Sequence, residues 1–277
     1  MTYKTILVHL NDSRRAEAVL EPSAQLATRF NSHLIGLHVY SAVPASPIPT
    51  ASSALGSIIA AERKNSEAIA DAFQRMTKNQ PFAAEWQQQK VPHIDLANVV
   101  MNKGRAADLI VASQTNPDWD LSPLMDFPER LALESGRPVL VIPYIGRYQT
   151  IGRRVVVAWK AGREASRAVF DALPLLQGAE SVHILEVKER AGDSGTGLAP
   201  DTSIAATLSR HGIKPEIRTS IALDIGIGDE ILSRVADLDA DLLVMGAYGH
   251  SRFREFVFGG ATRHIARHMT LPTLFSH

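Results

Sequence analysis

A glycine-rich stretch near the C-terminus carries the residues best suited to chemistry. An apolar run over 241–246 ends in glycine; Gly249, Gly259 and Gly260 follow, and then a helical pattern starts near Thr262. Glycine has no Cβ, so it permits positive φ angles and close approach of a ligand to the backbone. A strand, a glycine loop and a helix start together present backbone N–H groups to a phosphate. This spacing therefore predicts an anion site.

Local charge supports an anion site, although simpler interpretations of the same residues stay open. Between 246 and 268 there are four arginines and one acid, namely Arg252, Arg254, Arg263, Arg267 and Glu255. A glycine after a strand can instead serve only the turn, and Thr262 can serve only as a helix cap. The arginines at 263 and 267 are four residues apart, so they can also form a solvated helix face.

Composition restricts the classes of protein to consider. The chain has 277 residues, of which 45% are hydrophobic, and its 29 basic and 29 acidic residues give a formal net charge of zero. A neutral balance offers no bulk attraction for nucleic acid or for an anionic membrane surface. The absence of cysteine excludes disulfides and cysteine-based zinc sites. Since no apolar run approaches ~20 residues and no signal peptide is evident, we expect a cytoplasmic protein without a membrane segment.

Strand-like and helix-like segments alternate along the chain, and the pattern restarts near residue 151. Residues 6–10 align with 155–159, residues 107–111 with 240–244, and residues 137–140 with 271–274. The sequence therefore predicts an internal duplication, with domains at 1–147 and 151–277. Alternating strands and helices indicate an α/β fold with a parallel sheet in each half. Ligands of such sheets bind beyond the carboxyl ends of the strands, where the glycine loop lies.

Two helices are predicted with specific boundaries. The apolar pattern over 164–176 predicts one continuous helix in the second half. In the first half, Pro92 is expected to open a helix that runs to Lys103, with Gly104 as its C-cap.

The glycine spacing G-x2-G-x9-G, which starts at Gly246, resembles the nucleotide signature of the universal stress protein family. The segments 240–246, 271–274 and 158–165 resemble that family as well, so the likeness covers both halves and is that of a tandem universal stress protein. It implies two Rossmann-like domains of the adenine nucleotide alpha hydrolase-like type, each a five-stranded parallel sheet with helices on both faces. It also implies that the two domains pair through their last strands, Val139 to Pro143 with Thr273 to His277. Whether the protein also forms a homodimer is left open by the sequence.

The resemblance implies that the second half binds ATP or another adenine nucleotide, which could carry Mg²⁺. Backbone N–H groups of the glycines and Ala261 would wrap the phosphates, and Thr262 would add a hydroxyl. Val187 would meet the base or ribose, while Ala158 and Met245 would line the base pocket. The implied nucleotide-binding set is Ala158, Lys160, Val187, Met245, Gly246, Gly249, His250, Gly259, Gly260, Ala261 and Thr262.

The sequence departs from the family pattern at several positions. Lys160 stands where the family usually has an aspartate that contacts the nucleoside, and Gly260 stands where it usually has serine or threonine. A lysine cannot accept the hydrogen bonds that a carboxylate accepts. The first half departs further. Ser113, Asn116 and Met125 replace the three glycines, Pro128 takes the place of Thr262, and Asn11 stands at the aspartate position. We expect the first half to have lost nucleotide binding and to serve as a partner domain or to hold a different ligand.

Other candidate sites have simpler explanations. His264 and His268 have a spacing that could hold zinc, but no third ligand is evident. His9 and His38 are expected to be core or pocket-edge residues, and no P-loop motif is present. The sequence thus favours a regulatory, stress-response module that binds a nucleotide. A slow ATP hydrolase, which would need a metal and a base, and a nucleotide-free interaction protein are the alternatives.

Overall fold

The structure, a computed structural model, describes residues 2–41, 52–91, 95–116, 127–188, 202–223, 225–247 and 260–277. Its contacts divide the chain into a first unit, residues 2–137, and a second unit, residues 138–277. Each unit is described by itself below. No helix in the described ranges is long and apolar enough to cross a membrane.

The described residues of the first unit form four parallel strands and four helices. In chain order they are β1 (Thr5–His9), α1 (Ser13–Phe30), β2 (His33–Ser41), α2 (Ser52–Thr77), β3 (Ala84–Val91), α3 (Leu96–Gly104), β4 (Leu109–Ser113) and α4 (Phe127–Glu134). The strands are ordered β3-β2-β1-β4, with β3 at the edge. The apolar runs of β1 and β4 are buried, as expected of strands that are covered on both faces.

In the part of the second unit that the structure describes there are six strands and five helices. In chain order they are β5 (Val139–Ile142), β6 (Arg154–Ala158), α5 (Arg163–Asp171), α6 (Leu173–Leu176), β7 (Ser181–Lys188), α7 (Ser203–Arg210), β8 (Pro215–Ile221), α8 (Ile227–Asp237), β9 (Leu242–Gly246), α9 (Gly260–His268) and β10 (Thr273–Ser276). The strand order is β5-β10-β9-β6-β7-β8, and all neighbours are parallel except β5 and β10. Leu274 of β10 lies opposite Leu140 of β5. The predicted α/β fold is confirmed.

Strand order places a topological switch point in the second unit. From β6 the chain proceeds to β7 and β8 in one direction, and from β9 it proceeds to β10 in the other. Because such crossovers are right-handed, α5 and α7 cover one face of the sheet, whereas α8 and α9 cover the other. In agreement, α5 packs on β9 and β10, and α8 packs against α9. A crevice therefore opens between the carboxyl ends of β6 and β9.

The duplicated aspartate has the same structural role in both units. Asp241 precedes β9, and its carboxylate accepts hydrogen bonds from the backbone N–H groups of residues 152–154, just before and at the start of β6. Asp108 precedes β4 and accepts from the N–H groups of Lys4 and Thr5 at 2.7 and 2.9 Å. Each aspartate thus fixes the start of the first strand of its repeat against the fourth, which explains why both copies carry it.

Two of the detailed helix predictions were wrong. The helix over 164–176 is broken at Ala172 into α5 and α6, because Pro174 has no N–H to continue the helical hydrogen bonds. Gly104 is the last residue of α3 rather than its cap, and Arg105 is the C-cap. A Cβ on Gly104 would lie 2.3 Å from Cδ1 of Ile110, so this glycine allows close packing of α3 on β4. Pro92 lies outside the described residues.

Candidate functional site

A cavity of about 550 Å³ lies at the carboxyl ends of β6, β7 and β9 in the second unit. Ala158 ends β6, Val187 lies near the end of β7, and Met245 and Gly246 end β9, and all four line the cavity. Their small or apolar side chains give it an apolar floor. The cavity thus occupies the switch-point crevice, which is where ligands of open α/β sheets bind.

Most of the residues that the sequence predicted as a nucleotide site line this cavity. Eight of the eleven do so: Ala158, Lys160, Val187, Met245, Gly246, Gly260, Ala261 and Thr262. The other three, Gly249, His250 and Gly259, lie outside the described residues. The fold therefore brings together segments that are separated by up to a hundred residues in the chain.

The start of α9 forms one wall of the cavity. Gly260 is exposed, and a Cβ added to it would meet no atom within 4 Å, so its surroundings are open. Ala261 and the buried Thr262 follow in the first turn of the helix. First-turn N–H groups have no partner within their own helix and carry a partial positive charge. This wall can therefore accept an anion.

Gly246 has a steric role that its sequence position did not reveal. A Cβ on Gly246 would lie 2.6 Å from the backbone N of Ala165 and from the carbonyl C of Glu164. These atoms belong to the first turn of α5 and cannot move as the end of a side chain can. Gly246 thus lines the cavity, and its lack of a side chain also lets α5 approach β9 closely.

The starts of α5 and α8 add cavity residues that sequence reasoning missed. Gly162 and Gly226 are the N-caps of these helices, and neither helix has a side-chain cap. Gly228, in the first turn of α8, packs against His264 of α9, because a Cβ there would lie 2.8 Å from Cδ2 of that histidine. In the sequence, the two glycines directly before and within the start of α8 could have indicated that this helix start lines the cavity.

The charges of the described cavity lining are mostly paired. Oε1 of Glu164 lies 3.0 Å from the guanidinium of Arg163. Oδ1 of Asp229 lies 2.8 Å from Nε2 of His264, a contact that is an ion pair only when the imidazole is protonated and whose geometry is not that of an aligned hydrogen bond. Lys160, by contrast, is exposed and forms no ion pair with the residues that the structure describes. It is therefore the lining cation whose charge is not balanced by a neighbouring acid.

Other charged and histidine residues of α9 lie apart from the cavity. Arg263 and Arg267 are exposed and are not among the residues that line it. The rings of His264 and His268 lie 4.3 Å apart, and the described residues contain no group of three or more potential metal ligands. These arginines fit the solvated-face alternative better than a role in anion binding.

The first unit has different chemistry at the matching end of β1. The side chain of Asn65 on α2 accepts the N–H of Ser13 at 2.9 Å and donates to the carbonyl of Asn11 at 3.0 Å. Asp12 caps α1 and pairs with Arg14 at 2.8 Å. The side chain of Asn65 therefore lies at the start of α1, where it already accepts the hydrogen bond of the Ser13 N–H.

Buried histidines complete this part of the first unit. Nδ1 of His38 lies 2.7 Å from the carbonyl oxygen of Leu10, and its Nε2 lies 2.8 Å from Oγ of Ser66. Burial, with a smaller contribution from His38, lowers the pKa of His9 to about 3. The prediction that both histidines are core residues is confirmed. Pro128 is buried in the first turn of α4, and Met125 lies outside the described residues.

The match to a family model shows to which protein family this chain belongs. The model of the universal stress protein family matches this chain twice, over residues 2–143 and 152–277. The chain belongs to the universal stress protein family. The two matches also make it a tandem member, as its internal repeat predicted.

Individual universal stress proteins resemble this chain to different extents. One from Synechocystis sp. is 30% identical over 148 residues, and that match spans about half of each protein, 53% of this chain and 49% of the relative. The crystal structure of a universal stress protein from Archaeoglobus fulgidus covers 98% of this chain and 95% of its own, with 16% identity and a TM-score of 0.76, which supports the fold.

Solved complexes of two other members contain nucleotides. One universal stress protein has been solved in complex with cAMP, and it aligns with 51% of this chain at 22% identity and a TM-score of 0.36. Another, from Archaeoglobus fulgidus, has been solved in complex with dAMP, and it aligns with 51% at 20% identity and a TM-score of 0.33. Each complex covers 98% of its own chain in the alignment.

Proposed function

We propose that the second unit binds ATP or a related adenine nucleotide in the cavity between β6 and β9, and that the protein acts as a regulatory, stress-response module. The observation that carries the proposal is the convergence of eight predicted residues on one crevice. The crevice also has the position and size expected of a small-molecule site, since such pockets usually measure about 300–1,000 Å³. Gly249, His250 and Gly259 belong to the proposed site as well.

Each part of the nucleotide has a suitable counterpart. The apolar floor formed by Ala158, Val187 and Met245 suits the flat adenine ring. The N–H groups of residues 260–262 and the hydroxyl of Thr262 suit the phosphates, because the start of α9 favours negative charge. Mg²⁺, when present, would be held mainly by the phosphates and water, as is usual for this ion. The cAMP and dAMP complexes of other family members indicate which further nucleotides to assay.

A substitution at Gly260 separates anion binding from folding. The open surroundings of Gly260 accommodate a side chain, and an acid at a helix N-terminus favours the helix by about 0.3–1 kcal/mol. A carboxylate about 5 Å from a phosphate would repel it by about 3 kcal/mol at an effective dielectric constant of about 20. Gly260→Asp should therefore bind ATP roughly a hundredfold more weakly than the wild type.

Gly260→Asn is the matched control, because it has the same shape without the charge. Isothermal titration with ATP should give a much larger loss for the aspartate variant than for the asparagine variant, while both melt close to the wild type. Equal affinities of the two variants would show that no phosphate lies at the start of α9. Absence of ATP binding by the wild type would refute the proposed function.

A slow ATP hydrolase is the second candidate, and one observation favours it. Asp229 and His264 line the same cavity as a carboxylate–imidazole pair, an arrangement that can orient or deprotonate a water. His264→Ala should then abolish release of phosphate from ATP while ATP still binds. Phosphate release by the wild type that does not exceed the rate in buffer would exclude this candidate.

Several sequence predictions are part of the proposal. We place the repeat boundaries at 1–147 and 151–277, and we assign the first repeat the role of a partner domain, since Asn65 already binds the start of α1. Pairing of the repeats through their last strands, a homodimer and a cytoplasmic location stay predictions, to be tested by sedimentation and fractionation.

A further inference from the structure

Lys160 gives the proposed nucleotide site a charge pattern that a simple 5′ nucleotide does not match. The acids that line the cavity, Glu164 and Asp229, lie 3.0 and 2.8 Å from Arg163 and His264. Lys160 is exposed and has no such partner in the described part of the chain. The cavity thus offers a side-chain cation that has no acidic partner among the described residues, in addition to the start of α9.

The lysine and the start of α9 lie on different sides of the crevice. Lys160 follows β6 and leads into α5, whereas Gly260 follows β9 and begins α9. Strand order and crossover handedness put α5 and α9 on opposite faces of the sheet. A ligand that lies across the ends of β6 and β9 therefore meets positive charge at two separate places.

Lys160 also lies on the nucleoside side of the proposed site. It is two residues beyond Ala158, which forms part of the apolar floor, and not in the segment that begins α9. A 5′ triphosphate concentrates its charge on one side of the nucleoside. Nucleotide-binding α/β proteins use an acid to bind a ribose hydroxyl and a basic residue to bind a ribose phosphate.

We propose that Lys160 makes this site selective for adenine nucleotides that carry a second phosphate on the ribose, at the 2′ or 3′ position, in addition to the 5′ phosphate. This inference rests on the proposed nucleotide function. Lys160 acts as a specificity-determining residue, because its ammonium group donates to the ribose phosphate, while residues 260–262 hold the 5′ phosphate.

The test compares four ligands by isothermal titration at physiological salt: AMP, ATP, adenosine 2′,5′-bisphosphate and adenosine 3′,5′-bisphosphate. The wild type should bind at least one bisphosphate about tenfold more tightly than AMP, as expected of one additional charge-assisted hydrogen bond. Lys160→Ala should weaken binding of the bisphosphates more than binding of AMP and so remove this preference, whereas Lys160→Arg should retain it. Lys214→Ala is the matched control, because Lys214 is also exposed in the second unit but does not line the cavity.

The outcomes separate this inference from the function on which it rests. Equal affinity of the wild type for AMP and both bisphosphates, with normal ATP binding, would overturn the selectivity and leave the nucleotide function standing. A loss of ATP affinity in Lys160→Ala as large as the loss for the bisphosphates would also overturn it, because the lysine would then contact the 5′ chain. Failure of the wild type to bind any of the four ligands would overturn both.

Discussion

Replacing Gly246 with alanine should destabilise the second unit by forcing β9 and α5 apart. The new Cβ would lie 2.6 Å from two backbone atoms of residues 164 and 165, and 2.9 Å from the carbonyl oxygen of Glu164. Gly246 does not have a positive φ, so alanine can adopt its backbone conformation. The effect would therefore come from packing alone.

The size of the effect follows from the distances. An ordinary contact of a Cβ begins near 3.4 Å, so the first turn of α5 would have to move by about 0.8 Å. Overpacking of this kind usually costs about 1–3 kcal/mol. For a chain of this size, each kcal/mol lowers the melting temperature by about 2–4 °C. Gly246→Ala should thus melt roughly 2 to 12 °C below the wild type.

Differential scanning calorimetry suits this measurement, because it can resolve two units that unfold separately. Gly260→Ala is the control, since its Cβ would meet no atom within 4 Å and its stability should change by no more than about 0.5 kcal/mol. If Gly246→Ala melted within 1 °C of the wild type, the close contact between β9 and α5 would be wrong. If Gly246→Ala lost ATP affinity without any change in melting temperature, Gly246 would instead have a role in binding alone.

Two further predictions concern stability. Asp241→Ala should lower the free energy of unfolding in urea by about 1–3 kcal/mol, because three backbone donors at 152–154 lose their acceptor. Asp108→Ala leaves only two backbone donors without their acceptor, so it should destabilise the protein less. A larger loss of stability in Asp108→Ala than in Asp241→Ala would contradict this role of the aspartates. Since the pKa of His9 is lowered to about 3 in the folded protein, the unfolded chain takes up a proton below about pH 6.5 that the folded chain does not. Stability of the first unit should therefore fall as pH decreases from about 6.5 towards 3, by at most about 1.4 kcal/mol per pH unit. Urea titrations at several pH values should show that the unfolding free energy of His9→Gln depends less steeply on pH than that of the wild type. An equally steep dependence would refute the lowered pKa of His9.

The sequence predicted the fold because the fold depends on local patterns, whereas the residues of the site's floor came from the family resemblance. Apolar runs marked the strands, their alternation with helices indicated parallel sheets, and the carboxyl ends of those strands had to share one edge. The resemblance to the universal stress protein family then placed Ala158, Val187 and Met245 together, although they are far apart in the chain. The repeat was visible as matching short segments around Asp108 and Asp241.

Features that depend on helix placement could not be predicted. The chain returns from β8 to β9 across the sheet, and this crossover brings Asp229 of α8 next to His264 of α9 at the cavity. The steric role of Gly246 depends on where α5 packs. The sequence could not reveal this role, because a glycine needed for helix packing looks the same as a glycine of a phosphate loop. The arginines of α9 show the opposite case, because the excess of basic residues near the loop suggested anion binding, whereas Arg263 and Arg267 do not line the cavity.

The central claim is that an adenine nucleotide binds between the ends of β6 and β9, with its phosphates at the start of α9. Amide NMR spectra of the labelled full chain, recorded during a titration with ATP, test the claim directly. The largest shift changes are expected at residues 260–262 and at Val187 and Met245, while the amide signals of Ser13 and Asn65 should not shift. Changes confined to the first unit, or none at all at saturating ATP, would contradict it.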